Sequence, residues 1–416
     1  MTHDPNQIPD PAQPIRRADM LIERSDDRHV RRDAARGGMA SLIQQGISFA
    51  LFLGSTAILA RLLEVEDFGL FAFVTSITMV LAKFRDAGLR LANVQAKTLT
   101  NGQATTLLLI NTGLGLLLGL ITAGIGLGLS AVRDQPVLTP LFLIMGCSYL
   151  IGAIGVQSNG ILHRRMQLTS LAAVEIAALV VSIGVGVTAA LLGQGVFSLA
   201  WMHLAMNASK SAFSIVRAGW LPTAPASLRE TAPLIRFGIA LSIASAVNMT
   251  GANADRMFLG WKSELQNGLY SKAIGLAALP IERITPAFAQ VAIPTLSRYA
   301  DEPKAYRRTY HRLLSGLLLM TTPVTCGLFL EAHAIIRIVL GEKWLDAVPI
   351  FQLLCIGSLL LPLWNSTGWL FVSQGRGRAM IGWQMCDASA KITASAIAVQ
   401  WGVKGLAIAF SLRYVF

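Results

Sequence analysis

Charge is what this 416-residue chain has least of. Asp, Glu, Lys and Arg make up 14% of it, against roughly 25% in soluble domains, and mean hydropathy is +0.55. That balance describes a polytopic membrane protein rather than a large water-soluble core. The net charge of +12 and pI near 10.0 would point to nucleic acid in a soluble chain. In a membrane chain the same residues belong in cytoplasmic loops, so no nucleic-acid partner is expected. Cysteine is scarce too: Cys147, Cys326, Cys355 and Cys386 lie in apolar runs without metal-ligand spacing, and read as buried small residues. None of the six histidines pairs with a second histidine or a carboxylate at ligand spacing on one helix face. Glycines are dispersed; Gly113-Leu114-Gly115 and Gly124-Ile125-Gly126 with Gly128 read as helix-packing faces rather than a phosphate loop. No enzyme constellation, cofactor site or metal site is expected.

What the chain does have is long apolar runs. Met39 to Ala60 is apolar almost throughout, and a second run begins after Arg61-Leu62-Leu63-Glu64-Val65-Glu66-Asp67-Phe68-Gly69. About 20 apolar residues in helix cross a hydrocarbon core of roughly 30 Å, so this is a membrane hairpin with an acidic turn. Asp67-Phe68-Gly69 is no kinase motif, since the chain has room for neither the soluble domain nor the catalytic loop that motif needs. Further spans are expected at 67–87, 105–131, 137–160, 169–192, 195–215, 233–259, 267–295, 312–340, 346–373, 378–400 and 403–416, about twelve in all. Residues 1–38, polar and rich in proline and arginine, read as a disordered basic cytoplasmic tail rather than a cleavable signal. With the N-terminus inside, twenty-four of the 35 lysines and arginines fall on the inner side, seven on the outer side and four within spans. Lys83, Arg85 and Lys210 are counted among the inner loops. This bias supports an even span count with both termini inside.

An internal repeat is visible. Gly69-Leu70-Phe71 follows the first span and Gly268-Leu269-Tyr270 the seventh, 199 positions later; Gly195-Val196 precedes the sixth and Gly402-Val403 the twelfth, 207 positions later. Six spans per repeat give two halves of the same orientation, related by an axis along the membrane normal. The expected domains are an N-lobe over 39–215, a cytoplasmic linker over 216–232 and a C-lobe over 233–416.

The stretch Ile58-Leu59-Ala60-Arg61-Leu62-Leu63 with Asp67-Phe68-Gly69-Leu70 resembles the first hairpin of the bacterial polysaccharide flippases, the Wzx-type exporters of lipid-linked oligosaccharides. Asp255-Arg256-Met257-Phe258-Leu259-Gly260, Gly268-Leu269-Tyr270-Ser271-Lys272-Ala273, Pro280, Pro294 and Leu340-Gly341-Glu342-Lys343-Trp344 extend the resemblance over about 38–380. It implies an all-α transporter of the multidrug/oligosaccharidyl-lipid/polysaccharide (MOP) exporter superfamily, MATE-like, with a cavity between two six-helix lobes. The implied task is translocation of an undecaprenyl-diphosphate-linked oligosaccharide across the bacterial inner membrane, for O-antigen, capsule or exopolysaccharide. The implied partners are the lipid-linked glycan, membrane lipids, a polysaccharide polymerase and a chain-length regulator. A lipid II flippase and a drug/cation antiporter share the resemblance as alternatives. A membrane glycosyltransferase or polymerase would need a large loop or an acidic catalytic motif. Family members run on past the equivalent of Phe416, so a truncated sequence or a short last helix is expected.

Ionisable groups inside spans are costly and therefore face a cavity or a partner. The cavity candidates are Lys272 and Arg283, a basic track on one face of a span whose Pro280 and Pro286 are expected to break the helix, and Arg61, Asp255 and Arg256 at the outer ends of spans one and seven. Glu175 reads as an interhelix contact, and Asp387 with Lys391 as an i, i+4 pair.

Overall fold

The computed structural model describes residues 27–95 and 100–413. The chain is helical throughout: α1 Asp27–Leu62, α2 Val65–Gln95, α3 Asn101–Arg133, α4 Leu138–Arg164, α5 Leu168–Leu191, α6 Phe197–Ala218, α7 Leu228–Lys262, α8 Glu264–Arg298, α9 Pro303–Leu330, the short α10 Ala332–Val339, α11 Val348–Ser373, α12 Gly377–Ala398 and α13 Gly402–Leu412. Short 3-10 turns at Glu342–Ala347 and Val399–Trp401 precede α11 and α13.

Among the described residues, nine stretches are long and apolar enough to cross a membrane, α12 and α13 forming one of them. Helix α6 falls short of that measure because it is polar, carrying His203, Asn207 and Lys210. The expected ninth span is two helices, parting at Glu331, where polar Glu331 and His333 interrupt the apolar run. Of the expected disordered tail, residues 1–26 lie outside the described residues and 27–38 belong to α1. Residues 219–227 stand between α6 and α7. Pro280 and Pro286 do not break α8, which runs through them and Pro294. In a membrane helix, neighbouring groups re-satisfy the carbonyls that proline frees. The cysteines also depart from expectation, for Cys355 alone is buried and the other three are exposed. Lipid is as apolar as a protein interior, so an apolar run does not tell an inward face from an outward one. The exposed leucines of α3, among them Leu109, Leu116, Leu120 and Leu127, make the same point.

Helices α1 and α3–α6 pack chiefly on one another, as do α8–α13, while α2 and α7 join the two groups: each packs more on the other than on any other helix, and α2 packs on α8 as well. At the end that carries the α1–α2 turn, the repeat becomes a set of equivalent contacts. A Cβ on Gly69 would stand 1.7 Å from the Glu264 carbonyl oxygen, and a Cβ on Gly268 2.1 Å from that of Val65. Position 69 answers to 268 and 65 to 264 at the same 199-residue offset, so each helix meets its counterpart through the same two positions. Such reciprocity is the mark of a two-fold relation. The second match behaves alike. The Asp67 carboxylate accepts the Val196 N–H, and Gln266 Oε1 accepts the Val403 N–H at 3.2 Å. Both partner turns need a glycine in the left-handed region, Gly195 at φ 53 and Gly402 at φ 69.

Candidate functional site

The two halves are sealed together at the α1–α2 turn end. Arg61 donates to the Ile338 carbonyl at 2.8 Å, Trp344 Nε1 to the Ala60 carbonyl at 3.1 Å, and Lys343 to the Leu63 carbonyl. Asn267 donates to the Gly69 carbonyl at 2.8 Å, while Arg133 and Gln135 both reach Glu264, at 3.4 and 2.9 Å. Beneath these bonds Leu59, Leu63, Val65 and Phe68 form one apolar cluster with Leu269, Tyr270, Trp344 and Phe351, and Phe68 meets Trp344 edge-on at 5.3 Å.

Deeper in the first half, a cavity of about 510 Å³ opens between α2, α4 and α6, with Met249 of α7 on its remaining wall. Thr78 and Arg85 of α2 line it, about 20 and 30 Å along the helix from Val65 at ~1.5 Å per residue. Its basic groups are Lys83, Arg85, His203 and Lys210, and among the described residues none that lines it is acidic. Arg85 is buried; it donates to the Ser148 carbonyl at 3.2 Å and to Asn207 Oδ1 at 3.5 Å, and lies over the Tyr149 ring. Tyr149 in turn donates to the Thr78 carbonyl. Lys83 has no hydrogen-bond or ion-pair partner among the described residues. Lys210 pairs with Glu175 of α5 at 2.6 Å. Met79, Met145, Met206 and Met249 add a deformable apolar wall. A fixed guanidinium, a mobile ammonium, amide and hydroxyl donors and adaptable thioethers can bind an anionic group attached to something larger and variable.

None of the five candidates named from the sequence lines this cavity. Arg61 lines a separate surface pocket with Arg337 and Lys343 at the sealed end. Asp255 accepts a hydrogen bond from Tyr270 at 2.6 Å, and Arg256 donates to Asn253 at 3.1 Å. Lys272 is half-buried with its Nζ 4.1 Å from the centre of the Phe68 ring, so it stands at the sealed end. Arg283 is exposed, about 16 Å farther along α8 at ~1.5 Å per residue. The structure therefore brings Lys272 and Arg61 to one end and leaves Arg283 apart. Asp387 and Lys391 form the expected i, i+4 pair, and Glu175 the expected interhelix contact.

The cavity residues that sequence reasoning missed had a signal. His203, Asn207, Lys210 and Ser214 recur at three- and four-residue steps, a polar stripe along one face of an otherwise apolar helix. Lys83 and Arg85 were counted in a loop, but α2 continues past them to Gln95.

Three comparisons set this geometry among known proteins. The lipopolysaccharide biosynthesis protein WzxC of Escherichia coli (strain K12) is 24% identical over 355 residues, 83% of this chain and 71% of WzxC. The structure of the lipid II flippase MurJ in an inward closed conformation superposes with a TM-score of 0.74 at 13% identity, over 92% of this chain and 85% of MurJ. The inward-facing structure of a multidrug resistance MATE family transporter of the MOP superfamily follows with a TM-score of 0.65 at 14% identity, over 88% and 91%. The fold is thus that of the MurJ and MATE transporters, a multi-pass membrane architecture. The family model described as polysaccharide biosynthesis protein matches residues 58–349, and the chain belongs to that family.

Proposed function

We propose that this protein is a flippase that carries an undecaprenyl-diphosphate-linked oligosaccharide across the bacterial inner membrane by alternating access, supplying O-antigen, capsule or exopolysaccharide assembly. The observation that carries the reading is the cavity whose charged lining is wholly basic, in a molecule closed at one end. A drug/cation antiporter calls for a carboxylate-centred cavity, and among the described residues none that lines this one is acidic. The diphosphate is the part of the cargo that hydrocarbon excludes most strongly, and fixed cations in a wet cavity lower its cost of passage. The lipid tail stays in the bilayer and no bond is made or broken.

In this reading the N-lobe is 39–215 and the C-lobe 233–416, the N-terminus is cytoplasmic, and the sealed end is the outer gate. A reporter fused after Arg298 will read cytoplasmic and one after Lys262 periplasmic; the opposite result at either site defeats the orientation. Arg61, Asp255 and Arg256 serve the outer gate, and Lys272 and Arg283 form a second basic wall on α8. In a strain lacking its own copy, the wild type restores surface polysaccharide. The Lys272→Gln, Arg283→Gln double variant will restore less, at equal membrane level, while full restoration would remove the α8 wall from the account. A polysaccharide polymerase and a chain-length regulator are the partners proposed to receive the exported glycan.

A further inference from the structure

Two lysines line the cavity, and they are held differently. Lys83 has no partner among the described residues. Lys210 is bound by Glu175, Nζ to Oε2 2.6 Å, with the two side chains 38% and 34% exposed. Glu175 stands on α5 and does not line the cavity. The pair is open enough that packing does not lock it. It sits within membrane-spanning helices, where an ionisable group is kept only with a partner or a role. Lys210 has a flexible four-carbon stem that can turn its ammonium from Glu175 toward the cavity.

We infer that Glu175 is a releasable counter-ion: it holds Lys210 while the cavity is empty and yields it to the diphosphate of the cargo, and so sets how tightly the cargo is held. This rests on reading the cavity as the diphosphate site. The exchange has a physical use. A carrier must bind its cargo well enough to admit it and weakly enough to release it. Lys210 gains the diphosphate but gives up a carboxylate, so binding strengthens by the difference and not by the full attraction. When the cargo departs, Glu175 recaptures the ammonium and the site resets. With glutamine at 175 the lysine has no carboxylate to leave, so an anion binds more tightly and departs more slowly.

The test is binding of inorganic diphosphate to the purified full chain in lipid nanodiscs, by calorimetry at fixed salt. Glu175→Gln will bind about tenfold more tightly than wild type, and Lys210→Gln about tenfold more weakly. The double variant will match Lys210→Gln alone, because the carboxylate acts only through that ammonium. Glu175→Asp, which keeps the charge, will stay near wild type and shows that the site tolerates a change at 175. Unchanged or weaker binding by Glu175→Gln, with wild type binding and Lys210→Gln impaired, overturns the counter-ion role and leaves the diphosphate site standing. Failure of the wild type to bind diphosphate overturns the site itself, and this inference with it.

Discussion

Leucine at Gly69 will cut surface polysaccharide at least tenfold while the protein stays in the membrane. Position 69 has no room for even a methyl group, since a Cβ would lie 1.7 Å from the Glu264 carbonyl oxygen and 2.8 Å from the Gly268 nitrogen. Both are backbone atoms, so no side chain can swing aside and the helices themselves must part. Overpacking of this kind costs ~1–3 kcal/mol even where side chains can adjust. About 1.4 kcal/mol already moves a two-state balance tenfold, so on the proposed orientation the closed outer gate becomes the minor state. The position of the gate can be read with one cysteine in place of Ala60, which is fully buried beneath Trp344, in a chain whose four native cysteines are replaced. A membrane-impermeant maleimide added outside will label it slowly in the parent and rapidly in the Gly69→Leu variant. Gly54→Ala is the control, because nothing lies within 4 Å of a Cβ there, and it will export normally. Normal export and a protected cysteine in Gly69→Leu would show that the α2–α8 crossing does not seal the gate.

Removing the basic groups of α2 will have a comparable effect by another route. Lys83→Gln keeps much of the length and polarity and loses only charge. It will weaken diphosphate binding about tenfold, a loss of ~1.4 kcal/mol, next to the lower end of the ~1.5–3 kcal/mol contributed by hydrogen bonds to charged groups. Arg85→Gln will cost more, because its guanidinium also ties α2 to Ser148 and Asn207, and some of the loss will appear as lower protein level. The double variant will leave surface polysaccharide near background. Binding that survives in Lys83→Gln, Arg85→Gln would place the anion elsewhere, with the α8 wall of Lys272 and Arg283 next in order.

The hairpin, the repeat and the helical class were legible because each is written locally. An acidic turn between apolar runs is a membrane hairpin whatever packs on it, and the glycines at 69 and 268 and at 195 and 402 mark places where the backbone permits nothing else. The cavity was harder to read. Hydropathy marks Lys83 and Arg85 as the end of a span because it weighs each residue against lipid. In the fold Arg85 meets α4 and α6, which supply a carbonyl and an amide oxygen in place of water, and Lys83 lines the cavity. The candidates at Lys272 and Arg61 were chosen as charges that need a partner, and they have partners: an aromatic face and a helix-end carbonyl at the gate. A charge inside a span announces that it is solvated by something, and the packing of other helices decides whether that something is cargo, gate or neighbour.

On the proposed function, an anionic, lipid-linked head group crosses through the basic cavity between α2, α4 and α6. This crossing is tested most directly by transport in proteoliposomes. Undecaprenyl diphosphate bearing a labelled oligosaccharide is loaded in the leaflet that meets the cytoplasmic face, and its arrival in the other leaflet is followed with an impermeant quencher. The wild type will move it, the Lys83→Gln, Arg85→Gln variant will not, and a cationic dye will not cross with either. Movement of the dye without the lipid-linked glycan, or equal glycan movement by wild type and variant, would contradict the account.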